Sequence, residues 1–341
     1  MDTGIHVFFG SNGQGKTSLL ESIYCLLTTK SFKTHFISEC TKFGESEFNI
    51  KGSLIKKDVV WSLEIENRQK ITNRFVNSKK ETPLDYLTKG SAIIFSSRSK
   101  RIVDGSPEER RKFLNRMISL VDSRYLILLS KYRRHNHNLK KIIHSHKPDL
   151  DLYRSFKKTM LPISLEIARR RIEFIHEIEE KFKHIYAHIF SETESINLHY
   201  LQKNCQDINE FEKRYMDSSA QELLYKRQII GPHLDDLILS MNQSSARKYC
   251  SSGQLRSIVL SLKCAVRELV FEKTGTYPIF LIDDIDSELD ESRLKNLIEF
   301  LNERGQTLIS STKYGKLVDS CRLYGYEVKN GKINPLGQMY G

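Results

Sequence analysis

The sequence predicts an α/β fold, in which a mixed sheet with flanking helices is interrupted by a long helical insertion. Three observations lead to this prediction. A glycine-rich segment at residues 10–17 follows a short apolar run and precedes apolar residues at helical spacing. A second apolar run, Ile279–Ile282, ends in two aspartates. Between these segments, residues 107–190 show the apolar periodicity of long amphipathic helices, which indicates a helical insertion.

The other strands and helices follow from local patterns. Alternating apolar residues at 47–76 predict a small antiparallel sheet. In the insertion, Ser106 and Pro107 form a candidate helix start, and Pro148 and Pro162 offer breaks for a helical hairpin. Further helices are predicted at 208–228, 254–273 and 292–304, further strands at 92–95, 237–239, 278–282 and 307–309, and a closing hairpin at 322–334 around Asn330-Gly331.

Composition and charge narrow the classes of function. Lys and Arg total 54 against 42 Asp and Glu, a formal net charge of +12 that favours a polyanionic partner such as nucleic acid. No window of 18 residues is continuously apolar, and no secretory signal is recognisable, so we expect a cytoplasmic protein with no membrane segment. The six cysteines are scattered and never form Cys-x-x-Cys, which favours reduced thiols over zinc ligands or disulfides.

The glycine-rich segment reads Gly-Ser-Asn-Gly-Gln-Gly-Lys-Thr, which is the pattern of a P-loop. Its backbone N–H groups and the start of the next helix are expected to wrap the phosphates of ATP. Lys16 is expected to bridge the β- and γ-phosphates as a catalytic residue, and Thr17 to place its hydroxyl on Mg²⁺. The nucleotide-binding residues predicted here are Gly10, Ser11, Asn12, Gly13, Gln14, Gly15, Lys16 and Thr17.

The second motif is the apolar strand Ile279–Ile282 with Asp283 and Asp284 after it, which is the Walker B arrangement. Asp283 is expected to hold Mg²⁺ through water, and Asp284 to polarise the water that attacks the γ-phosphate. When no other motif is present, two aspartates after a strand form a helix cap about as often as they form a catalytic site. Downstream of a P-loop the catalytic interpretation is favoured, so both aspartates are predicted catalytic residues.

Two more motifs define the class of ATPase. Ser251, Ser252, Gly253 and Gln254 precede a helix ahead of the Walker B strand, and they resemble the Leu-Ser-Gly-Gly-Gln signature of ABC-type ATPases. Residues 287–290, Ser-Glu-Leu-Asp, stand where those proteins carry a D-loop. Since that signature binds the γ-phosphate held by a partner subunit, an ATP-dependent homodimer with two sandwiched ATP molecules is expected.

The predicted fold class is therefore a P-loop ABC-type ATPase head with an inserted helical arm. We expect the head to comprise residues 1–106 and 229–341, and the arm residues 107–228. Nearly the whole chain, residues 5–335, also resembles the RecF family of bacterial recombination mediators, which are SMC- and Rad50-like ABC-type ATPases. The segments that carry this resemblance are the P-loop region 10–23, Gly-Ser-Pro-Glu-Glu-Arg-Arg-Lys-Phe-Leu at 105–114, Val-Asp-Ser-Arg-Tyr at 121–125, Gly-Pro-His-Leu-Asp-Asp at 231–236 and Leu-Ile-Asp-Asp-x-x-Ser-Glu-Leu-Asp at 281–290.

The resemblance implies ATP-dependent binding to DNA, with a preference for gaps and single-strand/double-strand junctions, in replication, gap repair and the SOS response. It also implies RecR and RecO as partners that help to load the recombinase RecA. The predicted arm carries basic residues suited to phosphate contacts, although a solvated helix face explains each one equally well: Lys131, Arg133, Arg134, Lys140, Lys141 and Arg169 to Arg171. No base-reading motif occurs, so binding is expected to depend on shape and charge and to weaken with salt.

Three departures from the family pattern bear on these expectations. The family has a β-hairpin before the P-loop strand that is missing here, so we expect lower stability from an exposed sheet edge. Residues 96–100 read Ser-Ser-Arg-Ser-Lys where the family has Ser-Pro-Glu-Asp-Leu, so Arg98 and Lys100 bear on the rate of ATP turnover. Leu234 replaces an arginine of the family.

The sequence leaves two interpretations of the activity open, a weak DNA-dependent ATPase and a structural DNA clamp that binds ATP with little turnover. An ABC transporter subunit is disfavoured by the basic arm and by Thr312, which stands where many ABC proteins keep a switch histidine and where RecF-like chains carry threonine. A Rad50- or SMC-like tether requires a longer coiled coil, and a Rad50 hook requires Cys-x-x-Cys.

Overall fold

The structure is a computed structural model that describes residues 3–202, 208–287, 289–312 and 323–339. Cys205, Glu288 of the predicted D-loop, and Cys321 lie outside the described residues. The strands, in chain order, are β1 (Gly4–Phe9), β2 (Glu47–Lys56), β3 (Val59–Arg68), β4 (Ile71–Val76), β5 (Lys79–Lys80), β6 (Ala92–Phe95), β7 (Ile196–Leu201), β8 (Asp236–Met241), β9 (Ser244–Ser245), β10 (Ile279–Ile282), β11 (Gln306–Ser311), β12 (Leu323–Lys329) and β13 (Lys332–Met339).

The helices are mostly in the middle of the chain. In chain order they are α1 (Lys16–Thr28), α2 (Pro83–Leu87), α3 (Arg101–Asp104), α4 (Pro107–Val121), α5 (Arg124–Ile143), α6 (Leu150–Ile189), α7 (Ile208–Asp217), α8 (Ser219–Leu224), α9 (Ala246–Tyr249), α10 (Ser252–Thr274) and α11 (Glu291–Leu301). Within the described part of the chain, none of them is long and apolar enough to cross a membrane.

A mixed sheet has the strand order β13-β12-β1-β11-β10-β6. It contains β1, the strand before the P-loop, and β10, the predicted Walker B strand. β1, β6, β10, β11 and β12 pair in parallel, and β13 pairs antiparallel with β12. This sheet confirms the predicted α/β fold. The carboxyl ends of parallel strands lie at one edge of a sheet, so the residues that follow β1, β10 and β11 lie side by side.

A second, antiparallel sheet has the order β2-β3-β4-β5, which confirms the small sheet predicted at 47–76. Its hairpins turn through pairs of residues with positive φ, namely Lys57-Asp58, Gln69-Lys70 and Asn77-Ser78. Such turns match the right-handed twist of the strands that they join. Leu63 and Ile65 of this sheet share a buried apolar cluster with Phe8 of β1 and Leu20 of α1.

The helical insertion is confirmed as α4, α5 and α6, but its details differ from the prediction. Pro107 is the first residue of α4 and Ser106 occupies its N-cap position, as expected, but the side chain of Ser106 makes no cap hydrogen bond within the described chain. Pro148 lies between α5 and α6, as expected. The predicted break at Pro162 is wrong, because α6 continues through it. Buried apolar residues on both sides, Met160 and Ile167, hold the helix in place despite the one lost backbone bond.

The described chain forms two compact units. The first comprises residues 1–99, 188–191 and 270–341 and holds both sheets described above. The second comprises residues 100–187 and 192–269, and it holds most of the insertion and the three-stranded sheet β7-β8-β9. The helix predicted at 208–228 is divided into α7 and α8 at Ser218. The head and arm boundaries at 106 and 229 stay a prediction.

Candidate nucleotide-binding site

The P-loop connects β1 to α1 through glycines with left-handed backbone conformations. Gly10, Gly13 and Gly15 have φ of +149°, +82° and +102°. A Cβ at Gly10 would lie 2.4 Å from the carbonyl oxygen of Val328, so this position excludes a side chain. A Cβ at Gly13 would meet no atom within 4 Å in the described chain. Close packing therefore requires glycine at the first position, and the second leaves the loop open to a ligand.

α1 begins at the end of the loop with its backbone donors available. In the part of the chain that the structure describes, no side chain caps this helix, and its first turn has no acidic residue. The first N–H groups of a helix have no intrahelical acceptor, and its dipole attracts an anion. Lys16 is only 8% exposed, and its Nζ donates to the carbonyl oxygens of Gly10 at 2.5 Å and Ser11 at 3.0 Å. The site thus combines the positive charge of Lys16 with the uncapped start of α1, which suits a chain of phosphates.

The turn between β12 and β13 lies against the P-loop. The N–H of Gly331 donates to the carbonyl oxygen of Gln14 at 3.0 Å, and the N–H of Asn330 donates to its Oε1 at 2.7 Å. Together with the contact between Gly10 and Val328, these bonds hold the loop at both ends. The hairpin and the loop were each predicted from local patterns, but their contact joins residues too distant in sequence for such a pattern to reveal.

The Walker B strand brings Asp283 to Thr17, as the order of the sheet requires. Asp283 is 9% exposed, and it accepts a hydrogen bond from the hydroxyl of Ser310 at 2.8 Å. Burial raises the pKa of Asp283, and the nearby hydroxyls of Ser310 and Thr17 oppose that rise. Lys16, Thr17 and Asp283 therefore belong to one polar cluster at the carboxyl edge of the sheet.

The residues after Asp283 extend this cluster along the sheet edge. Asp284 has a φ of +56°, its N–H donates to Ser310 Oγ at 2.8 Å, and its side chain is exposed. Asp286 accepts hydrogen bonds from Ser311 Oγ at 2.7 Å and Thr312 Oγ1 at 3.0 Å. Ser310 and Asp286 were not predicted as site residues. The signal for Ser310 was its position at the end of β11, which neighbours the P-loop strand β1, and the signal for Asp286 was its position after β10, the next strand in the sheet.

The oxygen donors of this cluster fit Mg²⁺. A hydroxyl and a carboxylate, from Thr17 and Asp283, are the hard ligands that this ion prefers. Among the described residues, no group of three or more His, Cys, Asp and Glu side chains is placed to hold a metal ion. A cation here would therefore take its other ligands from phosphates and water, as Mg²⁺ commonly does.

The predicted signature segment forms a capping box at the start of α10. The N–H of Gln254 donates to Ser251 Oγ at 3.2 Å, and the N–H of Ser251 donates to Gln254 Oε1 at 2.9 Å. Gln254 Nε2 also donates to Glu194 Oε1 at 2.7 Å. Ser252 and Gly253 then form the first turn of the helix. These residues belong to the second unit, whereas the P-loop and Asp283 belong to the first.

Two of the RecF-like segments, 105–114 and 231–236, pair with each other inside the second unit. Arg110 donates to both carboxylate oxygens of Asp236, at 2.6 and 2.9 Å. Arg171 is 2% exposed and donates to Asp235 at 3.3 Å and to the carbonyl oxygen of Pro232 at 2.7 Å. The predicted phosphate contact of Arg171 is therefore wrong, because its guanidinium is buried among internal acceptors.

His233 lies beside the same set of buried side chains. It shares a 2.6 Å hydrogen bond with the hydroxyl of Tyr132. Burial and the nearby positive charges of Lys140, Arg111 and Arg171 together lower the pKa of His233 to about 3. The imidazole is therefore neutral in the folded protein at ordinary pH. We call Arg110, Arg171, His233, Asp235 and Asp236 the internal ion-pair network.

The basic side chains of α5 remain available to solvent. Its sequence contains no Asp or Glu, so the helix presents one sign of charge. Within the described chain these side chains are exposed and make no ion pair: Lys131, Arg133, Arg134, Lys140 and Lys141. Arg169 and Arg170 on α6 differ from them, because both are bonded to Glu166.

The P-loop, the Walker B aspartate and the parallel sheet define a P-loop ATPase head of the SMC class. Residues 1–334 match the family described as RecF/RecN/SMC N terminal domain. A protein of Desulfitobacterium hafniense named DNA replication and repair protein RecF is 33% identical over 339 residues, which cover 97% of this chain and 93% of that protein. A protein of the same name from Halothermothrix orenii is 30% identical over 349 residues, which cover 98% and 93%. The chain belongs to the RecF family.

Solved structures agree with this assignment. The recombination mediator protein RecF-ATP in the RecFOR pathway superposes with a TM-score of 0.86 at 27% identity, covering 99% of this chain and 92% of that one. The corresponding structure of RecF-ATPrS has a TM-score of 0.85 at 26% identity, with coverages of 99% and 93%. A Smc head domain from Pyrococcus furiosus, at 16% identity and a TM-score of 0.55, shares the fold.

Proposed function

We propose that this chain is an ATP-switched DNA-binding protein of DNA replication and recombinational repair. The observation that carries the proposal is the cluster of Lys16, Thr17 and Asp283 at the carboxyl edge of the sheet, with α1 starting at the P-loop. The names of the relatives support the process, and the solved RecF-ATP structure supports the nucleotide. We place the protein in the cytoplasm because its proposed substrate is chromosomal DNA.

The cluster suggests a role for each side chain in ATP binding. The residues of the P-loop, 10–17, would hold the phosphates through N–H groups, and Lys16 would exchange its carbonyl partners for β- and γ-phosphate oxygens. Thr17 and Asp283 would hold Mg²⁺, which when bound neutralises phosphate charge. Asp284, exposed beside them, would orient the attacking water.

ATP would act by joining two copies of the chain. The start of α10 offers free helix N–H groups and the hydroxyl of Ser252 to an anion, while Ser251 and Gln254 form the cap that holds this turn. In a homodimer, this segment of one copy would close the ATP site of the other. We propose that the closed dimer then binds gapped DNA, with the basic face of α5 contacting backbone phosphates.

We further propose RecR and RecO as the partners with which this dimer assists RecA loading during gap repair and the SOS response. The RecFOR pathway named for the similar structures supports this proposal. The contact surface for RecR is best sought after the dimer has been established, because ATP would determine which surfaces are presented.

The oligomeric state in solution tests the proposal directly. Mass would be measured by light scattering with ATP, with ADP and without nucleotide, each with and without a gapped duplex. We expect dimers with ATP, more of them with gapped DNA, and monomers with Lys16→Ala under all conditions. Lys70→Ala, at an exposed hairpin turn, serves as the matched control. A monomer that binds gapped DNA equally with and without ATP contradicts the proposal.

A second candidate is a clamp that binds ATP but hydrolyses little of it. The observation in its favour is positive charge near Asp283: Lys33, which is paired with Glu21 at 3.0 Å, opposes the rise in the pKa of Asp283, and Arg98 donates to the carbonyl oxygen of Lys33. Such charge would retain the products. Turnover by the wild type and by Asp284→Asn distinguishes the candidates. An ATPase loses at least about tenfold in rate with the variant, whereas a clamp has equal, very low rates in both.

A further inference from the structure

A cavity of about 350 Å³ lies at the end of the β2–β3 hairpin in the first unit. Its lining is formed by two strands, the residues before β6 and the end of α10. None of its residues belongs to the motifs described above. We call it the lysine pocket, and it is lined by Lys56, Lys57, Val59, Trp61, Thr88, Lys89 and Thr274.

Three lysines line this pocket, and its described lining residues include no carboxylate. Burial lowers the pKa of Lys56, and the positive charges of Lys57 and Lys89 lower it further. No ion pair joins any of the three lysines to an acidic side chain in the described residues. Like charges held together destabilise one another, and an anion between them reverses that effect. The pocket therefore has the charge of an anion site.

The lysines are held by ordered parts of the chain. Lys56 is the last residue of β2, and Lys57 occupies the tight turn with Asp58, at φ of +49° and +63°. The Nζ of Lys89 lies 4.6 Å from the ring centroid of Trp61, within the distance of a cation–π contact. Trp61 in turn packs against the buried apolar cluster of the first unit. The positive charges are thus positioned before any ligand arrives.

Attraction to a helix end explains only one of these charges. α10 ends at Thr274, and Lys57 Nζ lies close to the next residue, Gly275, at 3.8 Å from where its Cβ would be. A helix C-terminus attracts a cation within its last turn. Lys89 instead contacts the ring of Trp61, and burial lowers the pKa of Lys56. A ligand with several negative oxygens accounts for all three.

We propose that the lysine pocket binds backbone phosphates of nucleic acid, an inference that rests on the proposed DNA-binding function. The lining contains no guanidinium, carboxamide or carboxylate that could read a base edge, so recognition is of phosphate charge. This adds a DNA contact on the first unit to the proposed contact on α5, which belongs to the second.

The test compares two triple variants of the first unit. Lys56→Gln/Lys57→Gln/Lys89→Gln removes the charge of the pocket, and Lys70→Gln/Lys79→Gln/Lys80→Gln removes equal charge from exposed hairpin positions. Affinity for a gapped duplex would be measured with ATP over a series of salt concentrations. We expect the pocket variant to lose about tenfold in affinity, and the slope of log affinity against log salt to fall by about 1. The control should bind DNA as the wild type does.

Trp61 provides a direct reading of the pocket, since it is the only tryptophan in the sequence. A bound phosphate that draws Lys89 away from the ring of Trp61 should change the fluorescence of Trp61. We expect a change on adding an abasic phosphodiester oligomer, and none on adding pyrophosphate at equal phosphate concentration. A response to pyrophosphate alone assigns the pocket to free phosphates and overturns the inference.

The failure of this inference is separable from failure of the proposed function. If the wild type binds gapped DNA and the pocket variant binds it with the same affinity and salt slope, only the pocket assignment is wrong. If the wild type does not bind DNA with ATP, the proposed function itself is wrong. ATP affinity, measured in parallel, should be unchanged in the pocket variant.

Discussion

The P-loop and all of the internal ion-pair network except Arg171 come from RecF-like sequence segments, yet they use polar groups in opposite ways. In the P-loop, backbone donors and Lys16 surround a space that is open at Gly13. In the network, the charges of Arg171 and Asp235 are 2% and 1% exposed and satisfy one another. The comparison teaches that resemblance to a family identifies important residues without telling whether they bind a ligand or stabilise the fold.

The largest expected effect follows from breaking the network. Asp235→Ala leaves the buried guanidinium of Arg171 without its carboxylate, so the free energy of unfolding should fall by about 3–5 kcal/mol. Urea unfolding monitored by circular dichroism measures it. Glu166→Ala, which breaks only the exposed bonds to Arg169 and Arg170, is the control and should cost at most about 1 kcal/mol. Equal effects of the two variants would contradict a stabilising role for the network.

The P-loop should show the reverse behaviour. Lys16→Ala removes a charged donor from the proposed phosphate site, so ATP affinity should fall about 100-fold, which corresponds to ~3 kcal/mol. Isothermal titration calorimetry measures the affinity. The free energy of unfolding without nucleotide should change by less than about 1 kcal/mol, because Lys16 contacts only two carbonyl oxygens of the loop. A large loss of stability would instead indicate that Lys16 stabilises the fold, as the network does.

Acid should act on the network through His233. Its folded pKa, about 3, is below the unfolded value of about 6.5, so the neutral form stabilises the fold above pH 6.5 and this contribution is lost as pH falls towards 3. Between pH 6.5 and 5 the loss is about 2 kcal/mol. The positive groups that face the imidazole are Lys140, Arg111, Arg171 and Lys157.

The measurement for His233 is urea unfolding at several values of pH. His233→Gln should be less stable than the wild type at pH 7.5. Between pH 6.5 and 5, its free energy of unfolding should fall by about 2 kcal/mol less than that of the wild type. His137→Gln, at an exposed position of α5, serves as the matched control. A variant of His233 with the same pH dependence as the wild type would show that other groups govern acid stability.

The smallest effect concerns the hairpin that supports the P-loop. Gln14→Ala removes the acceptor for the N–H of Asn330, a single neutral hydrogen bond. ATP affinity should fall about fivefold, or ~1 kcal/mol, because the loop loses one of its supports. Ile333→Ala, on an exposed position of the same hairpin, should bind ATP as the wild type does. Unchanged affinity in Gln14→Ala would show that the loop keeps its shape without the hairpin turn.

Local sequence patterns predicted most of the fold. The strand before the P-loop, the antiparallel sheet and the closing hairpin follow from apolar runs and turn residues, which act over a few positions. The errors came from packing. A proline at 162 predicts a helix break, but buried residues along α6 hold the helix through it. Serine is a favoured N-cap residue, yet the hydroxyl of Ser106 makes no cap hydrogen bond in the described chain.

The candidate site was predicted as far as its residues lie in motifs. Lys16, Thr17 and Asp283 were predicted, and the sheet brings them together. Ser310 and the hairpin contact to Gln14 were not, because both depend on which strands are neighbours. Arg171 is the opposite case, a residue predicted to contact DNA that the fold buries. Arg169, Arg170 and Arg171 are adjacent in sequence, and only the fold determines that Arg171 is buried. DNA-binding surfaces therefore cannot be assigned from runs of basic residues alone.

The position of β1 in its sheet has a consequence for how the protein is made. β1 pairs on one side with β11 and on the other with β12, at registers such as Ile5 with Thr307 and Ile5 with Leu323. On the ribosome, this apolar strand emerges long before either neighbour exists. The P-loop then acquires its support from Asn330 only after 316 further residues have been made, and contacts of such sequence separation form slowly. Until then the strand is a natural target for chaperones.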